Sequence, residues 1–321
     1  RRSSDLLTLK KLQFLYFIAL RCLRYQQLLT QQKQPMSNKM PTAARSIVRK
    51  VPKDGLFVSQ PSPFMFGNAA NPRDHKASNW SNANWLLSRF HFSFAEYHNS
   101  RNMNFGVLRV MNDDLVQSQR GFGTHPHADM EVCSYVVDGE ITHKDSMGSV
   151  QSLGRGGVQF MTAGTGIQHS EHNLHPQDPL RFIQMWIVPR KKGLTPAYGG
   201  IEIEAAQRLN RFAHLVSDVE GSFDTPIKLN QDVNIHASEI DDGATVPFAL
   251  AEGRQAYILC VEGAQVSLGS AFDDAEALAQ FDATQVIGPL ELQFNTNNSG
   301  KAHVLVVEMA QTEGNPFRGD L

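Results

Sequence analysis

The chain has 321 residues, 41% of them hydrophobic, which at roughly 150 residues per domain is enough for two packed cores. Thirty basic side chains against 32 acidic ones leave a formal net charge of -2, so neither a nucleic-acid-binding surface nor an acidic tail is indicated. Cys22, Cys133 and Cys260 are far apart and form no CxxC pair, which argues against a disulfide framework or a thiolate zinc site and fits a reducing compartment, cytoplasmic or nuclear.

Residues 6–53 contain ten Lys or Arg and no Asp or Glu, around the apolar run Leu12 to Leu20. Nine apolar residues are too few to span a bilayer, and residues 1–45 read as either a translated leader or an organelle-targeting segment. Residues 46–84, rich in Asn, Pro and Ser, are expected to form an irregular arm. From Trp85 onward the chain is a series of short β-type runs at 105–110, 130–137, 158–162 and 182–188, separated by Gly, Asn and Asp turn signals. A second set follows at 256–269, 285–288, 290–294 and 303–309. Runs of this length without helical patterns between them predict antiparallel β-sandwiches or barrels. One helix is expected over 272–281.

The two sets form a degenerate repeat. Laying residues 133–143 on 257–267 matches Gly139 to Gly263, and the same offset places His125 and His127 on Ala249 and Ala251. A link at 191–200, ending in Pro and Gly, divides the chain into halves of residues 85–192 and 193–321.

The segment GFGTHPHADMEVCSYVVDGE (121–140) carries the chemistry. Side chains two apart on a strand share a face, so His125 and His127 can aim both imidazoles at one ion. GTGIQHSEHN (164–173) repeats the device with His169 and Glu171. Three nitrogens and a carboxylate suit a borderline transition metal such as Fe, Mn, Ni, Cu, Co or Zn, with a position left for water or substrate. Glu131 shares the parity of His127, and spacing leaves the choice of carboxylate open. A lone HxH arises by chance, and His91, His98, His143, His172 and His175 read as surface or hydrogen-bonded core residues. The conjunction of HxH and HxE on two glycine-flanked strands is what indicates a metal.

These motifs resemble the cupin superfamily and, within it, the pirin family. THPHADMEVCSYVVDGEITHKDSMGSV followed by MTAGTGIQHSEHN matches the pirin signature, and residues 84–114 resemble the start of bacterial pirin-like quercetinases. The resemblance is strong over residues 84–190 and fainter beyond. It implies an all-β bicupin, two antiparallel jelly-roll barrels of which the N-terminal one holds a single divalent metal, Fe(II) foremost. The ligands it implies are His125, His127, His169 and Glu171, with Glu131 as an inward residue able to act as a base. A flavonol such as quercetin and O2 are the implied substrates of ring opening with release of carbon monoxide, and Phe122, Met130, Phe160 and Met161 are expected along an apolar pocket. The family also includes iron-dependent redox-sensing proteins that bind transcription factors, so the alternative is a non-enzymatic role with a protein partner. A purely structural ion is the third reading. Direct nucleic-acid or membrane binding is not expected, and two barrels in one chain favour a monomer.

Overall fold

The computed structural model describes residues 47–68, 85–263, 265–269 and 277–311. The leader at 1–45 lies outside those residues, as does the first half of the helix expected over 272–281. The described second half is not helical: Leu278 bridges to Val266, and the Asp282 amide closes a turn onto Ala279.

The described residues are dominated by strands, with only short helical turns among them. The first half contributes β1 (Ile47–Val51), β2 (Phe57–Ser59), β3 (Leu86–Phe90), β4 (Leu108–Val116), β5 (Arg120–His127), β6 (Glu131–Asp138), β7 (Ile141–Asp145), β8 (Val150–Leu153), β9 (Gly157–Thr162), β10 (Ile167–Asn173) and β11 (Leu180–Ile187), followed by β12 (Ala197–Glu202). The second half contributes β13 (Ala213–Asp218), β14 (Ile227–Leu229), β15 (Val233–Ile240), β16 (Thr245–Leu250), β17 (Arg254–Gly263), β18 (Ala283–Ile287), β19 (Leu290–Asn295) and β20 (Ala302–Ala310).

Each half is a sandwich. In the first, a seven-stranded sheet of order β12-β9-β6-β11-β4-β3-β2 faces a four-stranded sheet of order β5-β10-β7-β8. In the second, the seven-stranded sheet runs β1-β18-β17-β20-β15-β13-β14 and faces the β16-β19 pair. The halves exchange edges: β1 pairs with β18 of the second, and β12 pairs with β9 of the first. The arm expected to be irregular therefore opens on a strand. Ile47, Val48 and Val51 have the β-branched side chains of a strand, but the pairing partner lies at the other end of the chain, where no local pattern reveals it.

The two large sheets pack back to back. Cys133, Tyr135, Val137 and Ile183 of the first share one core with Ile235, Tyr257, Leu259 and Leu305 of the second, all fully buried. With that core on one face and the barrel interior on the other, β6 and β11 are covered on both sides. This is why they read as near-continuous apolar runs. The repeat is visible in detail at two glycines with positive φ. A Cβ on Gly139 would lie 2.5 Å from the Pro179 carbonyl, and one on Gly263 would lie 2.5 Å from that of Lys301, so each turn admits only glycine.

Candidate metal centre

β5 and β10 are antiparallel neighbours, and their register sets His125 opposite His169 and His127 opposite Ile167. A bulge between His169 and Glu171 interrupts the pairing. Among the described residues, the ligand atoms of His125, His127 and His169 all lie within 4.8 Å of one another. The His125 Nδ1–H donates to the Gly123 carbonyl at 2.8 Å, leaving Nε2 with its lone pair, and that Nε2 lies 3.1 Å from His169 Nε2. Burial pushes all three histidines below the ordinary histidine pKa. The imidazoles are thus favoured neutral, with nitrogens crowded together, which is the donor chemistry a buried cation requires.

Glu171 lines the same cavity as His125 and His127 but stands outside the three-nitrogen cluster. Its Oε1 accepts hydrogen bonds from Ser134 Oγ and Gln159 Nε2, and its Oε2 from Gln184 Nε2, each at 2.8 Å. Burial pushes its pKa up to about 7 against the pull of these donors. Glu171 thus sits in a polar layer between two apolar clusters. Along the inward positions of β4, Asn112 and Asp114 separate Val110 from Val116; along β6, Ser134 separates Val132 from Val136; along β11, Gln184 separates Trp186 from Phe182.

Glu131 is placed elsewhere, and its expected role as an inward base is corrected. It is fully buried on the opposite face of β6 from Ser134, where Thr162 Oγ1 donates to it at 2.8 Å and Asn230 Nδ2, from the second half, at 3.0 Å. The reason is the turn at Ala128–Met130, with Asp129 at a φ of 52°, which resets the alternation between β5 and β6. Parity cannot be carried across such a break.

His143, set aside by sequence, stands beside the cluster. β7 pairs with β10, placing His143 opposite Glu171 and Asp145 opposite His169. His143 Nδ1 lies 3.5 Å from His169 Nδ1, its Nε2 lies 3.1 Å from Asp145 Oδ2, and Tyr198 stacks on its ring at 4.0 Å. The sequence signal was a third pair two apart, His143 and Asp145, on a strand. Ser134, Gln159 and Gln184 carried no comparable signal.

The cavity beside the histidines is lined by Phe66, Phe90, Phe94, Phe122, Leu86 and Trp186 together with Ser88, Asn112, Asp114, Glu171 and Gln184. Trp186 meets His127 edge to face, with ring centroids 4.8 Å apart. Of the four residues expected along an apolar pocket, Phe122 lines it. Met130 and Met161 belong to the buried cluster around Trp186, and Phe160 packs against the core between the halves.

Two sandwiches packed back to back, with three histidines converging inside the first, define a bicupin. Residues 72–187 match the pirin family, and residues 215–309 match the quercetinase C-terminal cupin domain. The chain belongs to the pirin family. A pirin-like protein of Caulobacter vibrioides is 38% identical over 179 residues, 56% of this chain and 76% of that protein. A quercetin 2,3-dioxygenase of Escherichia coli K12 is 36% identical over 213 residues, 66% of this chain and 88% of that one. The crystal structure of the E. coli pirin YhhW in complex with nickel(II) is similar with a TM-score of 0.66 at 26% identity, covering 83% of this chain and 100% of that chain. Among the described residues, no helix is long and apolar enough to cross a membrane.

Proposed function

We propose that this protein is a metal-dependent dioxygenase of flavonol-type substrates, with Fe(II) as the working ion and His125, His127, His169 and Glu171 as its ligands. The observation that carries this reading is the convergence of three imidazoles within 4.8 Å, two of which, His125 and His127, line a cavity walled by aromatic rings. The quercetin dioxygenase names of relatives support the substrate class. The bound metal supplies Lewis-acid polarisation of the flavonol's chelating oxygens and a template for O2. The protein's own part is position and shelter. The Gly123 carbonyl and the β5–β10 register fix His125, while Ser134, Gln159 and Gln184 hold Glu171 in reach of the same cavity. Phe66, Phe122 and Trp186 present ring surfaces to a flat ligand and exclude water from it.

Anaerobically Fe-loaded protein mixed with quercetin and O2 is expected to consume the flavonol and release carbon monoxide, and His127→Ala to abolish both. Absence of turnover with Fe, Mn, Cu, Ni and Co alike would sink the enzymatic reading.

A further inference from the structure

Asp114 is an acid that neither the ligand set nor its supports use. It lies on β4, 3% exposed, and lines the cavity together with His125 and His127. Ser88 Oγ donates to its Oδ1, and among the described residues no other hydrogen bond reaches the carboxyl group. Asn112, two residues earlier on the same face and also lining the cavity, has a buried Oδ1 with no partner among the described residues. Buried polar groups are ordinarily paired, and those that are not call for an occupant. Burial pushes the Asp114 pKa up to about 8, with Asp113 and Glu171 adding to the shift against the Ser88 hydrogen bond. Among the described residues, no Lys or Arg lines the cavity, which disfavours a carboxylate or phosphate on the ligand.

We propose that Asp114 and Asn112 form a recognition subsite for a phenolic hydroxyl on a flat aromatic ligand whose chelating oxygens lie at the histidines. A phenol both donates and accepts: Asn112 Oδ1 accepts its hydrogen bond, and the Asp114 carboxyl, held at Oδ1 by Ser88, pairs with the same hydroxyl. The ring lies among Phe90, Phe122 and Trp186. The subsite rests on the flavonol reading and deepens it, selecting polyphenols over flavonols that carry only the chelating pair.

The test is an anaerobic titration of the metal-loaded full chain, followed by tryptophan fluorescence, with quercetin and with 3-hydroxyflavone, which lacks the additional ring hydroxyls. The wild type is expected to bind quercetin about tenfold tighter, the size of one buried hydrogen bond. Asp114→Leu and Asn112→Leu are each expected to collapse that ratio toward one, chiefly by weakening quercetin. Asp114→Asn, which retains a polar group of the same shape, should keep most of it. An unchanged ratio in the leucine variants, or an equal loss of both ligands, overturns the subsite while leaving the flavonol reading in place. Loss of metal from the Asp114 variants overturns it too, because the acid would then act on the metal centre. Wild-type protein that holds metal and binds neither flavonol removes the flavonol reading and this subsite's ligand with it.

Discussion

The two barrels share a strand plan and differ in what they enclose. In the first, His125 faces His169 across β5 and β10; in the second, Phe248 faces Leu292 across β16 and β19. Continuing along the same strands, Leu250 stands where His127 does and Phe294 where Glu171 does. The supports change with the ligands, since Ser134 and Gln184 are neighbours across β6 and β11 whereas Ile258 and Val306 are neighbours across β17 and β20. Leu250, Ile258, Leu292, Phe294 and Val306 are all buried in one apolar cluster. The same scaffold is therefore stable with hydrocarbon at these positions, and the polar layer of the first barrel serves something other than folding. Buried polar groups cost stability unless fully paired.

The largest effect that tests this contrast comes from giving the first barrel the second's residue. His169→Leu is expected to take metal content from about one ion per chain to near zero, measured by elemental analysis after loading and desalting. Its melting temperature without metal should stay level or rise, because Leu292 shows that the fold accepts leucine there. A variant that unfolds, or one that keeps its metal, breaks the comparison.

The sequence carried the HxH and HxE pairs because a strand alternates with a period of two, and two pairs on glycine-flanked strands are rare by chance. It also carried the all-β class and the matched glycines 139 and 263. Alternation failed wherever a turn or bulge reset it. Glu131 lost its parity at Asp129, and the second-barrel counterparts proved to be Phe248 and Leu250 rather than Ala249 and Ala251, because the turn into β17 is one residue out of step with the glycine match. Ala249 is exposed, while Leu250 faces the core. Residues whose role exists only across the barrel were invisible: Asp114, Gln159 and Gln184 are ordinary polar positions until strands distant in sequence bring them to the site. The strand exchange of β1 was hidden for the same reason.

A smaller effect sharpens the contrast on the other wall of the site. Metal-binding histidines hold their orientation through the ring nitrogen that does not face the ion, and His143 with Asp145 is placed to do this for His169. His143→Phe keeps the ring that stacks on Tyr198 and deletes both nitrogens. It is expected to weaken metal binding about 10- to 100-fold, read by competition with a chelator, while full occupancy is still reached at saturating metal. An affinity equal to wild type would reduce His143 to a packing residue.

The smallest effect lies on the seam that both barrels share. Glu262 of the second half accepts from Arg155 of the first at 2.6 Å and stands 2.9 Å from His303 Nδ1, whose Nε2 meets the Tyr135 hydroxyl at 2.8 Å. Burial raises the Glu262 pKa, but His303 and Arg155 outweigh it and hold the group at about 2, below its ordinary 4.5. A carboxylate depressed in the folded state stabilises above its unfolded pKa and loses that contribution as pH falls through the folded value. Glu262→Gln should therefore melt lower than wild type at pH 7. The gap should narrow between about pH 4.5 and pH 2 and close below that, as seen in melting curves taken across the range. The glutamate is partly open to solvent, so screening keeps the gap small. Metal content is expected to stay at one ion per chain throughout the neutral range, because the seam lies on the far face of β6 from the histidines. A loss of metal in Glu262→Gln would mean that the two barrels, so different inside, are coupled through the seam they share.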